Sequence, residues 1–195
     1  MYIAGSFKSL KSTTCKPNKE WTDNDPHIWN KPYSWGICRY DLRNGANIGD
    51  YVFFILPKSL PKDSKLKQMI FCYIKIKDII SHKKAYKLYK RKRMEANKNP
   101  NGNILVDNRG RYTRYDRGSH NFNKIKERYA IADMNDSLIL KDKDIAKKSE
   151  HFVSFLQKLL GKKGDSVFKL VSRKGRILNE KQVKDLKYWL KNSST

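Results

Sequence analysis

The sequence predicts an α+β protein: a small, curled, mostly antiparallel β-barrel flanked by helices. Three observations predict it. Short apolar runs recur early in the chain, bounded by Gly, Asn and Pro breakers. One of them turns halfway into an alternation of apolar and basic residues, the pattern of a strand with one wet face. Later, His151–Leu160 and the stretch after Asn179 carry apolar residues at three- and four-residue steps.

The first strand expected is Tyr2–Phe7. A long polar segment follows, holding Pro17, Pro26 and Pro32 among Trp21, Trp29 and Trp35. Each proline removes a donor and restricts its predecessor, so this segment reads as an aromatic loop. Ser34–Leu42 reads as a strand, and Asn44-Gly45 and Gly49-Asp50 mark the turn after it. Tyr51–Leu56 is continuously apolar, as in a strand buried on both faces, and Pro57 and Pro61 end it. Met69–Lys77 is the strand with the basic wet face.

From Ser81 the composition turns basic. His82–Met94 is compatible with a helix that sets Tyr86, Tyr89 and Arg93 along one side. Asn97–Gly102 and Arg109–Gly118 read as loops, the second both basic and aromatic. Tyr129–Asp133 and Ser137–Leu140 are expected to be short closing strands. His151–Leu160 reads as a helix with Phe152, Phe155, Leu156, Leu159 and Leu160 on one face and Gly161 as its stop. Phe168–Val171 reads as a last strand. The final helix starts at Asn179, a cap with Gln182 three residues on, and packs Val183, Leu186 and Leu190. The expected organisation is a binding domain over 1–160 and a strand/helix extension over 161–195 packed on it.

The 195 residues contain 43 Lys+Arg and 19 Asp+Glu, a formal net charge of +24. Such an excess calls for a polyanionic partner, most simply nucleic acid. With 38% hydrophobic and 12% aromatic residues there is enough to bury a core. No apolar run approaches the ~20 residues of a membrane-spanning helix, and no basic leader precedes a long apolar run, so a cytoplasmic protein with no membrane partner is expected. Cys15, Cys38 and Cys72 form no Cys-x-x-Cys pair and read as reduced thiols; neither a metal nor a cofactor is expected.

Two constellations point to nucleic acid. Trp21, Trp29, Tyr33 and Trp35 lie close together with few aliphatic neighbours, and an aromatic pocket of this kind can stack on an extruded base. Ser6 is a candidate contact to the base edge. The plainer alternative is that these rings close one end of the barrel as core. The second constellation is cationic: Lys83, Lys84, Lys87, Lys90, Arg91, Lys92 and Arg93, then Arg109, Arg111, Arg114 and Arg117, with tyrosines interleaved. Clustered cations not balanced by neighbouring carboxylates suit a phosphate backbone.

Catalysis has weaker support. His120 near Asp116, or His151 near Glu150 and Asp144, pairs a general base with a carboxylate, but no nuclease, zinc-protease, phosphate-loop or hydrolase motif accompanies them. Cys15 beside Lys16 lacks a local histidine. Two other readings therefore stay open, a nuclease or nucleotide-modifying enzyme and a phage-type protein-interaction module acting on host defence.

Around Gly36–Arg43 and Ala46–Phe54, with Gly49-Asp50 ahead of an apolar strand, the sequence resembles the second family of nucleotide-modification-associated domains. Asp107-Asn108, Phe122–Asp133, Ser137–Leu140 and His151-Phe152 are similar to later stretches of that family. The wider class is the PUA-like superfamily, with its EVE, ASCH and YTH domains. The resemblance implies a PUA-like barrel that binds RNA or DNA and reads a modified base through an aromatic cage. Here that cage falls on Trp21, Trp29, Tyr33 and Trp35. The tryptophan-rich loop and the basic middle depart from the family pattern.

Overall fold

The computed structural model describes residues 2–4, 31–37, 39–56, 67–95, 102–116, 121–172 and 175–192. In chain order these form β1 (Tyr2–Ala4), β2 (Ser34–Trp35), α1 (Tyr40–Gly45), β3 (Tyr51–Ile55) and β4 (Ile70–Ile80). There follow α2 (His82–Leu88), a 3-10 turn (Lys90–Lys92), α3 (Phe122–Ile125), β5 (Tyr129–Ala132) and β6 (Leu138–Ile139). The chain continues with α4 (Asp142–Ser149), α5 (Phe152–Leu160), α6 (Val167–Val171), β7 (Arg176–Ile177) and α7 (Glu180–Asn192).

The strands make one curled half-barrel in the order β2-β5-β4-β3-β1-β7, with β6 also on β4. Among these strands every described pairing is antiparallel except that of β1 with β3. The sheet curls because β4 serves two sets of partners. Its first half pairs with β3 and β6, its second half with β5, and the register slips between Ile76 and Asp78. Such slips bend a strand and increase its twist. The segment 133–137 bulges away between β5 and β6, both of which run along β4.

The core lies between this sheet and α5, α6 and α7. Phe53, Phe54, Phe71 and Ile74 meet Phe152, Leu156, Val167, Leu170, Val183, Leu186 and Leu190 in one buried cluster. Trp189 stacks on Phe155 with ring centroids 4.6 Å apart. The sequence after residue 160 thus shares the core, and β7 adds a strand at the sheet's edge. Gly161 takes the left-handed conformation (φ 58°) and closes α5, its N–H donating to the Gln157 and Lys158 carbonyls. At the start of α7, Asn179 Oδ1 accepts from the Gln182 N–H and Gln182 Oε1 from the Asn179 N–H, a reciprocal capping box.

Three expected elements differ. The strand foreseen over Ser34–Leu42 ends at Trp35, and Arg39 adopts φ 54° to turn the chain into α1. Leu42, Arg43 and Ala46 then point inward at a helical rather than an alternating spacing, which a short apolar run does not distinguish. Phe168–Val171 is helical, because Ser166 caps the Lys169 N–H and buries Val167, Leu170 and Val171 at three- and four-residue steps. The helix foreseen over 82–94 stops at Leu88. The polar helix α4, anchored by buried Ile145, has too few apolar residues to announce itself. Among the described residues no helix is long and apolar enough to cross a membrane.

Candidate nucleic-acid interface

Helix α2 carries the first cationic segment. Ser81 caps it, its side chain accepting from the Lys84 N–H at 3.1 Å. Burial of His82 and Ala85 on the inner side turns Lys83, Lys84 and Lys87 to solvent. The His82 ring is the anchor. The Leu105 N–H donates to Nδ1 at 3.1 Å, so Nε2 carries the proton and donates to the Gly36 carbonyl at 2.9 Å. Burial above all, then the nearby Arg43 charge, pulls this imidazole down to about 3, and it stays neutral at ordinary pH.

Behind α2, Tyr129 Oη donates to Asn103 Oδ1 at 2.8 Å and sits 2.8 Å from Ser34 Oγ. Asn103 Nδ2 in turn donates to the Ser34 carbonyl and hydroxyl oxygens. This buried polar network joins β2, β5 and the 102–106 segment. Its members are far apart in sequence, and no sequence signal pairs them.

The second cationic segment is a tight loop built on Asp107. Asp107 Oδ1 accepts the Arg109 and Arg111 N–H groups at 2.9 Å, and Oδ2 takes the Arg111 guanidinium at 2.8–2.9 Å. These bonds hold the carboxyl below its usual range. Gly110 has φ 80° and lies against Lys83: a Cβ there would come within 3.0 Å of Lys83 Cδ. The fold therefore brings the two basic segments side by side. Lys83, Lys84, Lys87, Lys90, Arg91, Arg109, Arg111 and Arg114 are all exposed. Arg117 lies outside the described residues.

One of the expected phosphate ligands, Lys92, is corrected. Lys92 is only 2% exposed, because the 3-10 turn points its side chain inward; burial lowers its ammonium to about 7. A phosphate cannot reach it. Arg93 is half-buried, with its guanidinium 3.9 Å from the Tyr86 ring and Nε donating to the Tyr86 carbonyl at 2.8 Å. It braces the end of α2.

Of the expected aromatic pocket, Ser6, Trp21 and Trp29 lie outside the described residues. Tyr33 is half-buried just ahead of β2, its N–H donating to Met134 Sδ and its carbonyl accepting the Ala132 N–H. Trp35 is a correction. It is 0% exposed, edge-on to Phe54 at 5.5 Å, with Arg43 5.5 Å over its ring. Pairing of β2 with β5 drives this ring into the core, where no base can stack on it.

Of the catalytic candidates, Asp116 accepts the Tyr112 hydroxyl and His151 is exposed at the start of α5; His120 and Cys15 lie outside the described residues. Cys72 is a buried thiol whose pKa burial pushes well up. Among the described residues no three His, Cys, Asp or Glu side chains gather as metal ligands would. Comparisons with protein-family models, with curated proteins and with solved structures find no match to this chain.

Proposed function

We propose that this is a nucleic-acid-binding protein that holds a phosphate backbone across α2 and the Asp107–Asp116 loop. The observation that carries the reading is the contact of Gly110 with Lys83, which merges two separately encoded basic segments into one surface. On that surface exposed cations outnumber the carboxylates Asp107 and Asp116, and Asp107 is already paired with Arg111. A formal charge of +24 supplies the long-range attraction. Recognition of an extruded or modified base belongs to the same proposal and rests on Trp21, Trp29 and Tyr33, with Ser6 at the base edge. The reading places the protein in the cytoplasm, where a free thiol such as Cys72 persists.

The test is a titration of labelled DNA and RNA strands across a salt series. Affinity is expected to fall log-linearly with salt. The double charge reversal Lys84→Glu/Lys87→Glu is expected to lower both the affinity and the slope, the slope by about one for each phosphate that is no longer neutralised. Unchanged affinity in that variant rules out this face, and no binding at low salt rules out the function.

A further inference from the structure

We infer that Tyr112 is a base-stacking platform and that the strand held on this surface is single-stranded; the inference rests on the nucleic-acid reading above. Tyr112 lies flat on Phe122, with ring centroids 5.1 Å apart and planes 19° apart. Phe122 is set edge-on to the His82 ring at 6.1 Å, and His82 is pinned through both ring nitrogens. The tyrosine is thus backed by a fixed stack of rings reaching into the core. Its backbone is fixed as well: Tyr112 bridges Val106, and the Thr113 N–H donates to the Leu105 carbonyl at 2.9 Å. Its hydroxyl donates to Asp116, which sets the ring's direction.

Despite this support Tyr112 is 39% exposed, a large ring left partly at the surface. Lys83 reaches the same loop at Gly110, and Arg109 and Arg114 lie three and two residues from Tyr112 in the chain. Cations beside a rigid ring at the surface fit a phosphate chain with one base laid on the ring. Bases of a duplex spend their flat faces on one another, so only an unpaired base can take such a seat. Because ring and loop are ordered by protein contacts, binding costs little rearrangement of the platform. The Asp116 carboxylate repels phosphate, which directs the strand past Lys83 and Arg109 instead.

The test compares a labelled single strand of about 12 nucleotides with its duplex, in wild type and in Tyr112→Ala and Tyr112→Phe. The single strand is expected to bind more tightly than the duplex. Tyr112→Ala is expected to weaken the single strand by about 5- to 150-fold with the salt slope unchanged, and Tyr112→Phe to retain the affinity. Ultraviolet crosslinking of the wild-type complex, which needs no variant to fold, is expected to map to Tyr112. Equal affinity for strand and duplex, with Tyr112→Ala matching wild type and no crosslink at Tyr112, overturns the platform while leaving nucleic-acid binding intact. Absence of binding to either form overturns the underlying reading, and the platform with it.

Discussion

Lys187 of α7 donates to Asp136 Oδ1 at 2.7 Å, and through this contact the last helix grips the bulge between β5 and β6. The same Nζ reaches Tyr51 Oη at 2.7 Å and lies 3.9 Å from the Tyr51 ring centroid. Tyr51 donates to Asp136 Oδ2, and Lys75 Nζ stands 3.6 Å from that oxygen. Burial, and then the Asp136 carboxylate, push the Tyr51 phenol up to about 12, so it remains a donor at ordinary pH. Partial burial works against the Asp136 charge, yet the bonds from Lys187 and Tyr51 and the two ammoniums outweigh it. The carboxyl stays below its usual value of 3.8.

Lys187→Met is therefore expected to destabilise the protein by about 1–2 kcal/mol, a charged hydrogen bond reduced by partial solvent screening. A depressed carboxyl contributes stability that is complete above its unfolded pKa and lost as pH falls through the lower folded value. Urea unfolding between about pH 5 and pH 2 should thus show a shallower acid loss in Lys187→Met than in wild type. Parallel curves would mean that the pair does not stabilise the fold.

His82 gives the opposite end of the acid range its character. Its folded pKa of about 3 lies below the unfolded value of 6.5, so the unfolded chain takes up a proton that the native chain refuses. The stability contributed is whole above pH 6.5 and declines by about 1.4 kcal/mol per pH unit as pH falls toward 3. His82→Gln is expected to lose that decline between pH 6.5 and the onset of carboxylate titration. It should also be less stable at neutral pH by about 1–3 kcal/mol, since the Leu105 N–H or the Gly36 carbonyl loses its partner. The same decline in both proteins would exclude this source.

Gly36 is required by a close approach. A Cβ at this position would stand 2.7 Å from the Tyr129 ring and nearer still to the Asn103 carbonyl. Gly36→Ala must therefore push apart the Tyr129, Asn103 and Ser34 network behind α2. A loss of about 1–3 kcal/mol is expected in chemical denaturation, with weaker protection of the Leu105 amide from hydrogen exchange. A variant as stable as wild type would show that the segment yields freely.

Asn179→Ala removes the side-chain half of the α7 capping box. The expected cost is about 1 kcal/mol, measured as a lower denaturation midpoint at an unchanged slope. Because Gln182 Nε2 also donates to the Leu159 carbonyl, Gln182→Ala should cost at least as much. A negligible effect of both variants would place the start of α7 elsewhere.

Much of the fold was legible because the responsible forces are local. The apolar run of β3, the apolar-to-basic alternation of β4, the stripe of α5 with Gly161 behind it and the Asn179–Gln182 pair each declare themselves within a few residues. The cationic character of 83–93 and 109–117 was equally plain, as charge needs no partner to be counted. Short runs such as 37–42 and 168–171 were not legible, because a turn at Arg39 and a cap at Ser166 decide between two periods that the residues themselves allow. Only the tertiary structure decided that Trp35 and Lys92 face inward, that Lys83 lies against Gly110, and that Tyr112 rests on Phe122. Whether a ring or a charge faces water depends on which distant segments cover it, and that follows from the curl of the sheet and the pairing of β2 with β5.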